Sequence, residues 1–259
     1  TPHQWTNWSA AGSELTLRGG VLETEMGQFF RKWTIDEGLF KDNYVPNIDE
    51  VNLYANSMQR CIATAQYFSS GFMPVANLRI NHRYVPSKME MGGKDGLVGI
   101  NKGLKDSYAI LSKVLDMKES DAYKKGEIKD FVDNDTKIIF ELNQEPGMKG
   151  SLKTANSASD AFILQYYEEP DAMKAAFGHK LSLDEWTKIA KIKDVYGDVL
   201  FTAPIVAVNV AHPLLQYMYD ELNTDSRKFT FLCGHDSNIA SVDAALGVEE
   251  YSLPNSIEK

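Results

Sequence analysis

The stretch Phe229-Thr-Phe-Leu-Cys-Gly-His-Asp-Ser-Asn238 decides the fold, because it changes from apolar to polar within a few residues. Phe229 to Cys233 is rich in strand-forming residues, and Gly234 to Asn238 predicts a turn. From Ile239 the pattern is that of an apolar helix, with Gly247 just past its end. A buried strand that leads into a buried helix through a polar turn predicts an α/β domain.

A second strand and helix lie upstream of this stretch. Val51 to Tyr54 predicts a short strand, and Asn56 or Ser57 is predicted to cap the helix that follows. Arg60 falls in the first turn of that helix, away from its apolar stripe. In open α/β sheets, ligands gather at the carboxyl ends of the strands, so Arg60 and the turn after Cys233 are the two places to look for a site.

A long helix is predicted near the beginning of the chain, between a cap at Thr16 and a stop at Gly38. Its apolar residues fall within one arc and are expected to pack on the core: Leu22, Met26, Phe29, Phe30 and Trp33. Near the other end, residues 203–222 predict a helix that is broken or restarted near Pro213.

The middle of the chain has a different character. Loops are expected around a group of glycines, namely Gly92, Gly93, Gly96 and Gly99. Helical patterns follow, one of which opens with a capping box from Ser182 to Glu185. We therefore predict a mostly helical insertion domain at residues 71–191 and a discontinuous α/β domain formed by residues 1–70 and 192–259, whose sheet is mixed or mostly parallel and flanked by helices.

Composition limits the function classes. The chain has 259 residues, with 36 acidic and 27 basic side chains and a net charge of −9. This balance argues against nonspecific binding of nucleic acid or of an anionic membrane, and the longest apolar runs are too short to span a bilayer. No nucleic-acid or membrane partner is therefore expected.

Cysteine and histidine usage suggests no bound metal or other cofactor. Cys61 and Cys233 form neither a metal knuckle nor a disulfide framework and are predicted to be free thiols, although the sequence leaves open whether they meet. The remaining histidines have no companion at metal-ligand spacing: His3, His82, His179 and His212.

Three side chains are candidates for chemistry, each with a simpler structural alternative. His235 and Asp236 could supply a cation and a proton donor, or Asp236 could cap the next helix while His235 makes a loop hydrogen bond. Arg60 could present its fork of donors to a phosphate or carboxylate, or be a solvated surface arginine. Without their context, the structural alternatives would be favoured.

Several linked segments, in the same order along the chain, resemble the histidine acid phosphatases, and within that family the bacterial periplasmic glucose-1-phosphatases. The matching segments are Leu15-Thr-Leu-Arg-Gly-Gly20 with Gly27 and Arg31, Tyr54 to Gln66, Asn143-Gln-Glu-Pro-Gly147, Asn156 to Glu168, and Gly234 to Ser241. The resemblance extends over nearly the whole chain and is weakest between about residues 78 and 139.

The resemblance implies a two-step phosphoryl transfer through a phosphohistidine intermediate, without a metal ion. Asp236 would protonate the leaving oxygen, while Arg60 and His235 would bind phosphate oxygens, which suits a reaction that depends on positioning and charge neutralisation. Glu145 would contact the sugar, although it could equally be a turn residue before Pro146. The resemblance also implies a periplasmic or secreted enzyme.

The chain departs from the family pattern in one respect. The nucleophilic histidine of the family stands in an Arg-His-Gly or Arg-His-Asn motif, and no Arg-His pair occurs in this sequence. By resemblance, that motif would precede Thr1 and a closing strand would follow Lys259. We therefore expect this sequence to be a segment of a longer parent protein and to be inactive by itself.

The sequence leaves alternatives for the substrate and the function class. Small phosphate esters, and sugar phosphates such as glucose 1-phosphate in particular, are the first expectation. Phytate is the second, with four basic candidates for its many phosphates: Arg79, Arg83, Lys149 and Lys153. A catalytically inactive protein that binds phosphate or a sugar phosphate is the alternative of another class. A homodimer is left open.

Overall fold

The computed structural model describes residues 1–84 and 103–248. The expected loops at Gly92, Gly93, Gly96 and Gly99 lie outside the described residues. In chain order the elements are α1 (Leu17–Asp36), β1 (Val51–Ala55), α2 (Gln59–Phe72), β2 (Ile80–His82), α3 (Lys105–Val114), α4 (Asp121–Lys124), β3 (Lys137–Ile139), β4 (Gly147–Lys149), α5 (Ser151–Glu168), α6 (Ala172–Ala175), α7 (Leu183–Leu200), α8 (Pro204–Leu222), β5 (Phe229–Cys233) and α9 (Asp236–Ala245). A short 3-10 turn at Met117–Glu119 lies between α3 and α4.

The chain divides into two compact units, each built from segments that are distant in sequence. The first, called here the α/β unit, contains Asn7–Pro86 and Pro213–Asp236. The second, called the helical unit, contains Thr1–Thr6, Ser87–His212 and Ser237–Lys259. The division at residues 71–191 expected from the sequence stays a prediction.

A parallel sheet of three strands, in the order β2-β1-β5, forms the centre of the α/β unit. The register pairs Leu53 of β1 with Phe231 of β5 on one side and with Ile80 of β2 on the other. Together with the helices beside the sheet, this arrangement confirms the predicted α/β class. The strands predicted at residues 51–54 and 229–233 are likewise confirmed.

Aromatic rings pack on one face of this sheet. Phe68 and Phe72 of α2 are fully buried, and the Phe68 ring stacks on the ring of Phe231 in β5 with centroids 4.1 Å apart. Phe72 lies 4.6 Å, centroid to centroid, from Phe229. The helix that carries Arg60 is therefore fixed to the sheet through the same strand that precedes His235.

Helices α1 and α2 approach closely at two glycines. A Cβ atom at Gly27 would lie 2.2 Å from the carbonyl oxygen of Phe68, and one at Gly71 would lie 2.0 Å from that of Thr24. Only a residue without a side chain allows backbones to come so near. The buried positions of α1 are accordingly small: Gly20, Gly27 and Thr34.

The expected packing of the apolar arc of α1 on the core is wrong. The cap at Thr16 is confirmed, since its hydroxyl accepts a hydrogen bond from the amide of Gly19 at 3.1 Å. Of the arc, however, only Phe30 packs against the core, and the other four are exposed: Leu22, Met26, Phe29 and Trp33. The glycine contact with α2 sets the rotation of the helix and leaves these four large apolar residues at the surface.

Three further expectations need correction. The N-cap of α2 is Met58, and Asn56 instead accepts a hydrogen bond from the amide of Met58 at 3.1 Å, which turns the chain before the helix begins. Strand β5 is half-buried rather than buried, because among the described strands it pairs with β1 alone. Helix α8 continues through Pro213 without a break.

The helical unit has its own core, to which α3, α5 and α7 contribute most of the buried residues. The hydroxyl of Ser159 in α5 donates to the carbonyl of Ile189 in α7 at 2.6 Å, which satisfies a buried polar group where the helices meet. The capping box of Ser182 and Glu185 is confirmed at the start of α7. Strands β3 and β4 form a small antiparallel hairpin.

Within residues 1–84 and 103–248, no single helix is long and apolar enough to cross a membrane, although the bent pair of α7 and α8 together would pass by length and composition.

Candidate active site

The carboxyl ends of β1 and β5 meet at one edge of the sheet. Ala55 pairs with Cys233, and the amide of Asn56 donates to the carbonyl of Cys233 at 2.9 Å. The turns that follow the two strands therefore begin side by side, and they carry the polar residues that the sequence predicted.

Arg60 is positioned by the first turn of α2 and by the loop before α1. Its Nη1 donates to the carbonyl of Ser13 at 3.2 Å, and the neighbouring Gln59 accepts a hydrogen bond from the amide of Leu15 at 3.0 Å through Oε1. Ser13 has a left-handed backbone, with φ 71°. Two contacts thus join the start of α2 to this loop, and the guanidinium is directed by a defined partner.

The structure brings Arg60 and His235 together. Nη2 of Arg60 lies 3.2 Å from Nδ1 of His235. A guanidinium has only donors, so Nδ1 of the imidazole is the acceptor in this contact and the ring proton is on Nε2. The contact therefore favours the neutral imidazole that carries its proton on Nε2.

The surroundings of His235 favour this neutral form. Partial burial is the larger cause of the lowered pKa of His235, and the positive charge of Arg60 adds to it, while Asp236 opposes the shift. A cation next to a weakly basic imidazole is an arrangement that an anion would stabilise, since an anion can accept hydrogen bonds from both side chains.

Asp236 follows His235 directly and is the first residue of α9, where it is exposed to solvent. The apolar pattern predicted a helix from Ile239, and the helix in fact begins three residues earlier. The amide groups at a helix start attract negative charge. His235 and Asp236 consequently lie at the junction between the edge of the sheet and a helix N-terminus.

Two free thiols lie beneath this junction. Cys61 is buried, and its Sγ is 3.6 Å from the carbonyl oxygen of Gly234 and 3.9 Å from Nε2 of His235. Burial, together with the neighbouring Cys61, raises the pKa of Cys233 to about 12. Burial also raises the pKa of Cys61. Both thiols are thus neutral and in contact, which answers the question that the sequence left open.

The predicted sugar contact belongs to the other unit. Glu145 is an exposed residue of the loop that joins β3 to β4 in the helical unit, so its part in the site stays a prediction. Of the four basic residues considered for phytate, Lys149 and Lys153 are also in the helical unit. Arg83 follows β2 in the α/β unit, with its amide donating to the carbonyl of Ala55 at 3.2 Å.

Sequence reasoning missed two contacts of the site. Ser13 was not a candidate, because nothing in its local pattern indicates that its carbonyl receives Arg60. Cys61 was treated only as a core thiol, although its position directly after Arg60 could have suggested contact with the same imidazole. Within the described part of the α/β unit, no His, Cys, Asp and Glu side chains are grouped closely enough to bind a metal ion.

Comparisons with known proteins identify the family and the fold. The family model of the histidine phosphatase superfamily (branch 2) matches residues 1–259. A glucose-1-phosphatase of Providencia rettgeri is 36% identical over 282 residues, which cover 100% of this chain and 67% of the relative. A glucose-1-phosphatase of Salmonella typhimurium is 35% identical over 279 residues, covering 100% of this chain and 68% of the relative.

A solved structure supports the fold independently. The apo form of Hafnia alvei phytase superposes with a TM-score of 0.82 at 23% identity, covering 95% of this chain and 69% of the phytase chain. At this identity the likeness concerns the fold. With the family model matched from end to end and two relatives above 30% identity, the chain belongs to the histidine phosphatase superfamily, branch 2.

Proposed function

We propose that this protein is an acid phosphatase that hydrolyses small phosphate monoesters, with sugar phosphates such as glucose 1-phosphate as preferred substrates. The observation that carries the proposal is the 3.2 Å contact between Arg60 and His235 where β1 and β5 end. The similarity to two glucose-1-phosphatases supports the substrate class. The phytase-like alternative has weaker support, because its named relative in the fold comparison is only 23% identical.

Arg60 and His235 act as the phosphate-binding pair in this proposal. The guanidinium presents N–H groups to one or two phosphate oxygens, and a protonated imidazole would add Nδ1–H as a further donor on the side of Arg60. Arrival of an anion favours protonation of His235, because the negative charge offsets the repulsion by Arg60. Both groups would then stabilise the charge that spreads over the equatorial oxygens during transfer.

Asp236 is the proposed proton donor to the leaving oxygen. A sugar alkoxide is a poor leaving group and needs a proton as the bond to phosphorus breaks. Exposure of Asp236 at the start of α9 leaves its carboxyl group accessible to a substrate.

The remaining roles extend the proposal. Glu145 contacts the sugar, and the reaction passes through a phosphohistidine. The sequence contains no Arg-His pair that could supply the nucleophile in the manner of the family, so this step is proposed for a polypeptide that carries such a motif.

The experiment uses a polypeptide that carries the Arg-His motif together with this chain, and it compares phosphate release from glucose 1-phosphate, p-nitrophenyl phosphate and phytate at several acidic pH values. The proposal expects kcat/KM to be highest for glucose 1-phosphate among the natural esters. A clear preference for phytate would favour the phytase alternative. An Arg60→Ala variant measured in parallel tests whether any turnover belongs to this site.

A second candidate function is binding of phosphate or a sugar phosphate without turnover, which the absent Arg-His pair favours. Calorimetric titration with inorganic phosphate and with glucose 1-phosphate distinguishes the two. Saturable binding that is lost in Arg60→Ala, without phosphate release, would support a binding protein. Release of phosphate in the same titration would rule it out.

We also propose that the protein is periplasmic or secreted. The family resemblance supports this location, and the two glucose-1-phosphatases similar to this chain come from bacteria. Cell fractionation followed by immunodetection tests the location. We also propose that the protein is a homodimer. Light scattering coupled to size-exclusion chromatography measures its molar mass in solution and tests this proposal.

A further inference from the structure

Three side chains from distant parts of the chain meet in the helical unit. Nε2 of His3 lies 2.6 Å from Oδ2 of Asp116, and Nε2 of His179 lies 3.2 Å from the same oxygen. The sequence separations are 113 and 63 residues, so no local spacing indicated the group. One ligand atom from each residue lies within 4.8 Å of the other two.

These three groups have the chemistry of a metal site. Two imidazoles and a carboxylate suit Zn²⁺ and other divalent first-row ions. In a tetrahedral zinc site with bonds of about 2.0–2.1 Å, neighbouring ligand atoms are about 3.3 Å apart. The two separations from Oδ2 of Asp116, 2.6 Å to His3 and 3.2 Å to His179, are both somewhat shorter than this value. Small side-chain rotations would therefore bring the ligands into place.

The surrounding residues hold the group in position. The His3 ring stacks on Phe177, with centroids 4.8 Å apart and an interplanar angle of 20°. Phe177 also contacts Trp5, whose ring centroid is 5.0 Å away. Asp116 and Phe177 both have left-handed backbones, with φ of 43° and 54°, a conformation that costs energy for residues other than glycine. One strained residue, Asp116, thus belongs to the group, and the other, Phe177, stacks on His3.

Solvent has access to the group while much of it is covered. The side chains retain 30% exposure for His3, 35% for Asp116 and 25% for His179. Asp116 also lines a surface cavity of about 740 Å³, which gives an ion a path of entry.

We propose that His3, Asp116 and His179 bind one divalent transition-metal ion, of which Zn²⁺ is the best match, with water completing the coordination. The ion would join the first residues of the helical unit to the segment after α3 and the segment after α6, and so stabilise that unit. The site is separate from the residues assigned to phosphate chemistry. The competing explanation is a hydrogen-bonded network, in which both imidazoles donate Nε2–H to the carboxylate and no ion binds.

The test is titration of the purified, tag-free protein with Zn²⁺ by calorimetry, and with Co²⁺ by visible absorption. We expect one ion per chain and the intense visible bands of four-coordinate Co²⁺. His179→Gln and Asp116→Asn should each weaken binding by at least about 10- to 100-fold, the loss typical of removing even an outer-shell partner. His212→Gln, which removes an exposed imidazole outside the group, should bind as the unaltered protein does.

Thermal unfolding with and without Zn²⁺ provides a second readout. The ion should raise the Tm of the unaltered protein and of His212→Gln, but not that of His179→Gln. Circular dichroism of the ion-free variants establishes that they are folded. Absence of saturable binding to the unaltered protein, or binding that survives both His3→Gln and His179→Gln, would overturn the proposal in favour of the hydrogen-bonded network.

Discussion

Nη2 of Arg60 and Nδ1 of His235 are 3.2 Å apart although 175 residues separate them in sequence. The parallel pairing of β1 with β5 produces this proximity, because both residues follow the carboxyl ends of neighbouring strands. The contact also sets the tautomer of the imidazole and leaves the pair suited to an anion.

Replacing Arg60 tests the phosphate-binding role. In a polypeptide that carries the Arg-His motif, Arg60→Ala should lower kcat/KM for glucose 1-phosphate by about 100- to 1000-fold, the usual cost of removing a preorganised donor from developing negative charge. Arg60→Lys should recover only part of this loss, because an ammonium group cannot present the planar fork. The exposed Lys32→Ala on α1 serves as the control and should be unchanged. An Arg60→Ala variant with normal kcat/KM would remove Arg60 from the site.

Replacing Asp236 tests proton donation. In a polypeptide that carries the Arg-His motif, Asp236→Asn should reduce turnover of glucose 1-phosphate by about 100- to 10,000-fold, the range for general acid catalysis. It should reduce turnover of p-nitrophenyl phosphate far less. The reason is that p-nitrophenolate leaves without a proton. Steady-state kinetics on both esters gives the comparison, and equal losses would contradict the assignment.

Helix packing can be tested at Gly27. Gly27→Ala should lower the free energy of unfolding by at least about 2 kcal/mol, because the added methyl group would lie 2.2 Å from a backbone carbonyl that cannot move independently. Gly197→Ala in α7 is the matched control, since its added Cβ meets Phe201 at an ordinary 3.7 Å. That substitution should raise the free energy of unfolding by about 0.5–1 kcal/mol. Urea unfolding of both variants measures the two changes in the free energy of unfolding. Equal changes would refute the interpretation that α1 and α2 pack closely at Gly27.

Acid stability should depend on Glu50. Its carboxylate is 2.5 Å from Nζ of Lys228 and accepts a hydrogen bond from Tyr44 at 2.6 Å, and these contacts lower the pKa of Glu50 from 4.5 to about 2. Because the folded pKa is lower than the unfolded one, this contribution is fully present above about pH 5 and is lost as the pH falls towards 2.

Glu50→Gln should therefore be less stable than the unaltered protein near neutrality, with the difference shrinking as the pH falls from about 5 to 2. Urea unfolding of both proteins at a series of pH values measures this difference in the free energy of unfolding. Glu119→Gln removes a mostly exposed partner of Lys124 and should show little difference at any pH. A difference for Glu50→Gln that does not vary with pH would show that packing, rather than charge, is responsible.

The fold class could be predicted because its signals are local. The strand formers at residues 229–233 and the cap at Thr16 both act on neighbouring residues, and the structure has them as expected. The buried face of α1 could not be predicted by the same rule. An apolar arc indicates the core only when large side chains make the contact, whereas Gly27 and Gly71 let the two helix backbones touch.

The candidate site was predictable as separate residues but not as an arrangement. Arg60 and His235 were each identified from a strand followed by a polar turn, and the rule for parallel sheets indicated the correct edge. The acceptor role of Ser13 depends on a loop conformation that no sequence pattern encodes. The sequence gives no reason to group His3 and His179 as metal ligands, because the fold, rather than their spacing, brings them to Asp116.

Pairing between β1 and β5 also has a kinetic consequence. The sheet of the α/β unit forms only when residues about 175 positions apart meet, and the Ser87–His212 segment of the helical unit lies between them in sequence. Such long-range parallel pairing slows folding, because the entropy of closing the loop must be overcome before the contacts stabilise the chain. Arg60 and His235 therefore come together late, and folding of the helical unit beforehand would shorten the effective loop and speed their encounter.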